Sequence, residues 1–452
     1  MTKFQKQMLT IAAAGALTAV TALPAMALEN EFHGLFNIYG DYGNMAATGS
    51  NSGAPTNFLS TNNKADNYIE QRVRLQYIAK ASDDLKLVTH FEINNRWGFS
   101  NTVPAGTMTS GSALDVQGSD IDTDGLNIVV KHAYLDVNVA KNLNVKAGLQ
   151  AYKDTIGGIL VDADLPMVLA TTKIGSVDAV VGFSRYGDAT SASTNTAQLG
   201  DRTGNFALAD FGYAVNKDTK VGASYYYQSD ESTAATLTKK TVNTFALNGK
   251  TVINGISLKG FVAMQDGEGT VLSTNTTTNY KGYAYNLQAD AKVGAGDAKL
   301  GYLFVSGDTK SALTDDSQFQ TLGSTGGSTF NDGGMMLMVR NNYYYPTSTG
   351  YALKGNTVSN IQLAYAGYSQ MLSDKIKATV NLGLGWDNTD VGSQAATGTK
   401  GDFIGTEVNA ELAYKLYSNL TVYAQAGYIS LGSQYDAYKD PYAVRLGASF
   451  SF

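Results

Sequence analysis

Apolar and polar residues alternate along most of the chain, most clearly at its carboxyl end. Within the last eleven residues, one alternate set of positions is apolar or aromatic: Tyr442, Val444, Leu446, Ala448, Phe450 and Phe452. The residues between them are small or polar. A period of two indicates a β-strand whose two faces meet different surroundings. A strand that ends on an aromatic residue is expected where the last strand closes a barrel by pairing with the first.

Two earlier segments, 68–79 and 85–94, carry several charges at alternate positions. The alternate polar positions include Glu70, Arg72, Arg74, Lys86, His90 and Glu92, and most of the residues between them are apolar. Charges at this spacing cannot face an apolar core without partners. They can face water inside a wide barrel while their neighbours face lipid.

Strands of this kind recur through the chain, and we predict eighteen, with sixteen as the alternative. The predicted segments are 32–43, 68–79, 85–94, 127–139, 143–151, 167–174, 177–186, 205–215, 220–228, 242–253, 256–265, 280–293, 297–306, 358–371, 375–387, 403–417, 420–431 and 440–452. Every second connection is short, as at Asn254-Gly255, a strong hairpin signal. The pattern predicts an all-β, antiparallel, up-and-down transmembrane barrel with short periplasmic turns and long extracellular loops.

Composition agrees with this fold class and excludes several others. The chain has 28 Tyr and only 6 Pro, which suits aromatic girdles and long paired strands. It has no Cys, which excludes disulfides, thiol nucleophiles and Cys-based metal sites. A formal net charge of −6 argues against a nucleic-acid binder. No apolar run after residue 27 is long enough for a helical membrane span.

Residues 1–27 have the pattern of a cleavable secretory signal peptide. Lys3 and Lys6 form a basic start, an apolar stretch follows, and Pro24 precedes the Ala25-Met26-Ala27 cleavage motif. The alternative is a membrane anchor. We therefore predict two regions, a signal peptide at 1–27 and a barrel at 28–452.

The whole of the region 28–452 resembles the bacterial outer-membrane porins, and most closely those of metal-reducing and sulfate-reducing bacteria. The resemblance lies in the repeated strand pairs and in the Phe-terminated last strand, where Tyr442, Phe450 and Phe452 match the assembly signal. It implies an outer-membrane homotrimer, inserted among lipid and lipopolysaccharide by the barrel assembly machinery. It also implies passive diffusion of ions and small hydrophilic solutes, without a cofactor, enzymatic activity or a nucleic-acid partner.

A barrel of this size encloses water unless something fills it, so the inward residues decide its selectivity. Alternation assigns to the interior the bases Arg72, Arg74, Lys86, Lys146, Lys250, Lys259, Lys292, Lys377, Lys415 and Arg445. It assigns there the acids Glu70, Glu92, Asp136, Asp290 and Glu411. A net basic wall favours anions. The alternative is that lysines near turns are solvated at the periplasmic rim.

The connection between Tyr152 and Leu165 is short and rather apolar. By resemblance, the third loop of a general porin folds into the pore, where Asp154, Asp162 and Asp164 would oppose Arg72, Arg74 and Lys86 in a transverse field. The Pro-Glu-Phe-Gly motif of that loop is absent here. An ordinary external loop is the alternative.

One loop resembles a calcium-binding loop. Asp120, Asp122 and Asp124 take positions 1, 3 and 5, and Gly125 takes position 6. Position 12 is Lys131, where a bidentate Glu is needed. A solvated acidic loop is therefore favoured over a metal site.

The sequence is also compatible with other functions. The chain has three histidines, His33, His90 and His132. His90 and His132 are predicted on adjacent inward faces, as lumen-lining residues rather than metal ligands or bases. A sleeve around a multihaem cytochrome is one alternative function, although no C-x-x-C-H motif is present. A substrate-selective channel is another. The long loop 308–356, with its Asn341-to-Tyr345 run, could fold inward, cap the barrel or contact another subunit.

Overall fold

The computed structural model describes residues 28–44, 65–98, 117–119, 128–188, 200, 202–231, 238–271, 275–308, 315–322, 327–344, 352–354, 358–388, 401–435 and 438–452. These residues form the strands β1 (Glu29–Gly43), β2 (Asp66–Ser82), β3 (Leu85–Trp97), β4 (Gln117–Ser119), β5 (Val129–Ala140), β6 (Leu143–Lys153), β7 (Asp162–Ile174), β8 (Val177–Asp188), β9 (Thr203–Ala214), β10 (Lys220–Asp230), β11 (Thr238–Ile253), β12 (Ile256–Val271), β13 (Thr276–Tyr280), β14 (Tyr283–Val293), β15 (Gly296–Val305), β16 (Asp315–Asp316), β17 (Ile361–Met371), β18 (Ile376–Asp387), β19 (Phe403–Tyr417), β20 (Leu420–Leu431) and β21 (Tyr442–Ser451). In the part of the chain so described, no helix has the length and apolar character needed to cross a membrane.

Eighteen of these strands form one closed antiparallel barrel in chain order. The first and last strands, β1 and β21, close it with a register that runs from Leu35 opposite Ser451 to Gly43 opposite Ala443. The three remaining strands, β4, β13 and β16, are short additions at the ends of barrel strands. The predicted count of eighteen is therefore confirmed, and sixteen is wrong.

Side chains alternate between the two sides of the barrel wall, as the sequence predicts. In β1, Phe32 and Tyr42 are 58% and 51% exposed on the outer side, whereas Tyr39 and Asp41 are buried on the inner side. The ten residue-to-residue steps from Phe32 to Tyr42 span about 33 Å along the strand. At a tilt of about 40–45°, this corresponds to a height of about 25 Å, the usual thickness of the apolar band of membrane barrels.

The closing contact involves the chain's final residue. The Phe452 backbone donates to the Gly34 carbonyl at 3.1 Å, and the Gly34 amide donates to the Phe452 carbonyl at 2.9 Å. The Phe452 ring covers Gly34, where any Cβ would overlap it. The ring lies on the outer surface beside Phe450, and Tyr442 packs against Tyr42 at the opposite end of the same seam. The role of these residues in assembly stays a prediction.

Eight connections, all at one end of the barrel, contain two to five residues. The Asn254-Gly255 turn joins β11 to β12 as predicted, and φ angles of 51° and 81° at these residues are those of a type I′ turn. That these turns face the periplasm stays a prediction.

The main apolar core lies inside the barrel. It joins inward residues of the wall, such as Phe206 and Leu363, to residues of the connection 154–161 and of the described segments 315–322 and 327–344. The segments between strands therefore occupy part of the interior, which positions them to shape any passage through it.

Candidate functional site: the barrel interior

Inward charges on β2 and β3 lie opposite one another because the two strands pair in register. Arg74 faces Glu92 and Arg72 faces Asn94. Arg74 Nε donates to Glu92 Oε2 at 2.5 Å, and Arg72 Nε lies 3.3 Å from the same oxygen. Arg72 also donates to Asn94 Oδ1 at 2.6 Å. Both arginines are thus held by cross-strand partners in a largely desolvated wall.

A second carboxylate, Glu70, is fully buried on the same face. Arg96 donates to Glu70 Oε1 through Nη2 at 2.5 Å and through Nε at 3.0 Å. The Tyr39 hydroxyl donates to the other oxygen, Oε2, at 2.5 Å. The Arg96 guanidinium also stacks over the Tyr68 ring, 4.5 Å from its centroid.

A third ion pair crosses the seam at which the barrel closes. Arg445 of β21 donates to Asp41 Oδ2 of β1 from Nη2 at 2.6 Å and from Nε at 3.0 Å. Its guanidinium lies 4.4 Å from the centroid of the Tyr39 ring, and Nη1 donates to the carbonyl of Tyr344. The arginine is almost completely buried, so it ties the last strand to the first and to a distant loop.

We call this face, on β1, β2, β3 and β21, the charged wall. It consists of Asp41, Glu70, Arg72, Arg74, Glu92, Arg96 and Arg445. Four arginines face three carboxylates there, which leaves a formal excess of one positive charge. The sequence prediction included five of these residues and omitted Asp41 and Arg96.

Other predicted wall residues lie nearer the turn end. Lys86, Asp136 and Lys146 are opposite one another on β3, β5 and β6, and Asp136 accepts from Asn144 at 2.6 Å. Lys146 lies over the Tyr134 ring.

On the opposite side of the barrel, Lys250 and Lys259 face each other on β11 and β12, and Lys259 pairs with Asp332 at 2.9 Å. Lys292, by contrast, is exposed and pairs with Asp297 beside a turn, and Lys377 and Lys415 are exposed too. These last three fit the alternative of a solvated rim.

His90 and His132 lie side by side on β3 and β5, as predicted. Their Nδ1 atoms are 3.2 Å apart, and His132 Nε2 lies 2.8 Å from Asp164 Oδ1. A β-bulge interrupts the β3–β5 ladder at this point, so Lys131 has no register partner on β3 and its ammonium also contacts Asp164. Among the described residues, no cluster of three or more His, Asp or Glu side chains is arranged to hold a metal ion.

The third long connection is shorter than predicted. Strand β6 continues to Lys153 and β7 starts at Asp162, so the connection is 154–161, which we call the inner loop. Asp162 and Asp164 are strand residues, placed opposite Lys153 and Ala151. Ladder hydrogen bonds join backbone groups, which do not depend on side-chain polarity, so pairing continues past the predicted strand ends.

Asp154 faces into its own loop. Its carboxylate accepts from the backbone amides of Ile156, Gly158, Leu160 and Val161 at 2.7–2.9 Å. Burial raises the pKa of this carboxyl to about 6, although the four amides act in the opposite direction. The loop is thereby closed around a single side chain, with its apolar residues packed into the interior core.

The three predicted loop carboxylates therefore contact groups other than Arg72, Arg74 and Lys86. Asp154 binds loop amides, and Asp164 contacts Lys131 and His132. Asp162 accepts from Lys153 at 3.0 Å and from Thr329 at 2.5 Å. The arrangement differs from the expected one because each carboxylate is hydrogen-bonded to groups close to it, and these groups are not the three predicted bases.

A second segment, residues 327–344, also lies inside the barrel, and we call it the strap. Glu407 of β19 is fully buried and accepts the backbone amides of Met336, Leu337 and Met338, with shortest distances of 2.5 Å to Met336 and 2.7 Å to Met338. One carboxylate thus holds three consecutive amides of a segment with no ladder of its own.

Glycines of the wall make room for the strap. A Cβ at Gly383 or Gly385 would overlap the sulfur of Met335 or Met338. Tyr343 donates to Glu411 at 2.6 Å and Tyr344 to Asn409 at 3.1 Å. Burial raises the pKa of both tyrosines, so their hydroxyls stay protonated and act as donors.

Glu407 was missed by the sequence prediction, although Glu407, Asn409 and Glu411 alternate along β19 as the other inward polar residues do. The calcium-loop candidates Asp120, Asp122 and Asp124 and the signal peptide 1–27 lie outside the described residues.

Solved structures share this fold at low sequence identity. The chain is similar to OccK9 (OpdG) of Pseudomonas aeruginosa, with a TM-score of 0.57, 14% identity, and coverage of 94% of this chain and 98% of the other. The outer membrane protein OpdK of the same organism gives a TM-score of 0.56 at 13% identity, with coverage of 94% and 98%. A structure of OpdK with vanillate gives 0.54 at 13% identity, with coverage of 93% and 98%. No protein-family model and no curated protein matches the chain. The chain thus has the barrel fold of these outer-membrane proteins.

Proposed function

We propose that the protein is an outer-membrane porin that lets ions and small hydrophilic solutes diffuse through its barrel. The observation that carries the proposal is the division of the wall, with an exposed apolar outer side and a polar, charged inner side. Such a division needs lipid outside and water inside, because unpaired charges facing lipid would be costly. Similarity of fold to outer-membrane proteins supports the same proposal.

The preferred solutes in this proposal are small carboxylates. The charged wall carries one more arginine than it does acids, and arginine binds carboxylates with planar, directional hydrogen bonds. The strap and the inner loop bring apolar residues into the same interior. An interior that combines both suits an organic anion, and one protein of the same fold has been solved with vanillate.

Planar-bilayer recording tests the proposal. The purified protein should give steady ohmic conductance in KCl, and a salt gradient should give a reversal potential of the sign expected for anion preference. Added vanillate or benzoate should lower the chloride current in a saturable way. A protein that inserts but stays electrically silent contradicts the channel function, whereas an open channel with a cation-selective reversal potential contradicts only the solute class.

Two further proposals concern the surroundings of the barrel. We place it in the outer membrane as a homotrimer, assembled by the barrel assembly machinery among lipid and lipopolysaccharide. Light scattering of the detergent complex, corrected for bound detergent, should give three chains, and a one-chain mass rejects the trimer. The cytochrome sleeve is the weaker alternative, because parts of the chain itself fill the interior that a partner would need.

A further inference from the structure

The contact between His90 and His132 indicates a binding function beyond passive diffusion. They are register partners on neighbouring strands, and their rings are 5.0 Å apart at an interplanar angle of 62°. His90 has the same inward parity as Glu92 of the charged wall, and is therefore open to the interior rather than to lipid.

Asp164 determines which nitrogen of His132 carries hydrogen. Its carboxylate only accepts, so the Nε2 that lies 2.8 Å away must donate, and Nδ1 of the neutral ring keeps its lone pair. That lone pair accepts from His90 Nδ1 at 3.2 Å. A carboxylate bonded to the far nitrogen of an imidazole is the usual second contact of a metal-bound histidine.

The separation of the two Nδ1 atoms is also suitable for a metal ion. Two nitrogens about 2.0–2.1 Å from a tetrahedral Zn²⁺ lie about 3.3 Å apart, and two cis nitrogens of a square-planar Cu²⁺ about 2.9 Å apart. The observed 3.2 Å lies between these values. Both rings must rotate to direct their lone pairs at one ion, because in the metal-free pair the His132 lone pair points at His90 Nδ1.

We propose that His90 and His132 bind one divalent transition-metal ion, Cu²⁺ or Zn²⁺, through their Nδ1 atoms. Water completes the coordination, since the protein supplies two ligands here. Binding moves the His90 proton from Nδ1 to Nε2 by exchange with solvent, so no net proton is released and no electron is transferred. Two ligands predict a dissociation constant in the micromolar range, with Cu²⁺ bound more tightly than Zn²⁺.

Titration of the untagged, folded protein with CuCl₂ and with ZnCl₂ tests the site. Calorimetry should show one strong equivalent, and the electron paramagnetic resonance spectrum of Cu²⁺ should show splitting from two nitrogens. His33→Ala is the matched control, because His33 is the remaining histidine and is largely exposed at the start of β1. It should bind like the wild type.

His90→Gln and His132→Gln should each lower the Cu²⁺ affinity at least tenfold, and Asp164→Asn should lower it by about tenfold through loss of the orienting contact. Folding of each variant is checked by its heat-dependent mobility in detergent gels. Unchanged affinity in both histidine variants, or one-nitrogen splitting in the wild type, overturns the proposal. If a variant does not fold, the number of nitrogens in the Cu²⁺ spectrum of the wild type still tests the proposed pair of ligands. Neither outcome bears on whether the barrel conducts ions.

Discussion

Two regions of the barrel interior satisfy their buried charges in different ways. In the charged wall, Arg74 binds Glu92, a residue 18 positions away in sequence and directly opposite on the next strand. On β19, Glu407 binds the amide of Met336, 71 positions away in a segment outside the sheet. The first contact follows from strand pairing alone. The second exists only because a long connection folds back into the barrel.

We expect different parts of the interior to control ion selectivity and the entry of solutes into the barrel. Charges held by neighbouring strands are fixed to the wall and set the electrostatic potential of the interior. The strap is held mainly by a few buried contacts, so its position determines how much of the interior is filled. We therefore expect changes in the charged wall to alter which ions pass, and changes at the strap to alter how much current passes.

The largest expected effect comes from opening the seam on which both regions depend. Phe452→Ser removes the ring that covers Gly34, exposes an incompletely closed edge and should lower the yield of folded barrel about fivefold or more. Heat-dependent gel mobility measures the folded fraction. Ser451→Ala, on the preceding residue, is the control and should assemble normally. Normal assembly of Phe452→Ser would show that the seam does not need its terminal ring.

Glu407→Ala should release the strap from β19 while leaving the ion pairs of the charged wall in place. Three buried amides lose their acceptor, and each unsatisfied donor costs about 1–3 kcal/mol. The expected result is a rise of about twofold or more in single-channel conductance, because the segment leaves the wall. Asp178→Ala, at an exposed turn pair, should leave conductance unchanged. If Glu407→Ala also matches the wild type, the strap does not control access.

Replacing Arg72 and Arg74 together by Gln should change selectivity instead. Glu92 then lacks both cationic partners, and the ratio of anion to cation permeability should fall about threefold. Reversal potentials in a KCl gradient measure this ratio. Lys217→Gln, which removes a highly exposed turn lysine, is the control. An equal change in both proteins would mean that total charge, rather than the wall, sets selectivity.

The smallest expected effect concerns the inner loop. Because burial raises the pKa of Asp154 to about 6, the folded protein binds a proton there that the unfolded chain releases near pH 4. The contribution of Asp154 to the free energy of unfolding is then largest below pH 4 and falls as the pH rises through 6. Urea unfolding of the wild type and of Asp154→Ala at pH 4 and pH 7 should give a difference that shrinks on the order of 1 kcal/mol. A difference that grows with pH would show that the four amides outweigh burial.

The sequence correctly predicted the features that depend on which face of a strand a residue occupies. The eighteen strands, the inward charges of β2 and β3, and the neighbouring His90 and His132 all follow from a period of two and short turns. It was wrong about where the third connection begins and ends. There β6 and β7 continue as a ladder to Lys153 and Asp162, beyond the residues at which the sequence prediction ended both strands.

The alternation of polar and apolar residues by itself determined a barrel with two unlike faces. In each strand, every second side chain points to the same face, so one face is apolar and the other is polar. Only the tertiary structure decided what fills it. Asp154 and Glu407 bind mainly backbone amides, and residue types alone do not show which backbone amide a carboxylate will contact. Which amides meet which carboxylate depends on how the inner loop and the strap fold inside a closed wall, and that follows from packing rather than from local pattern.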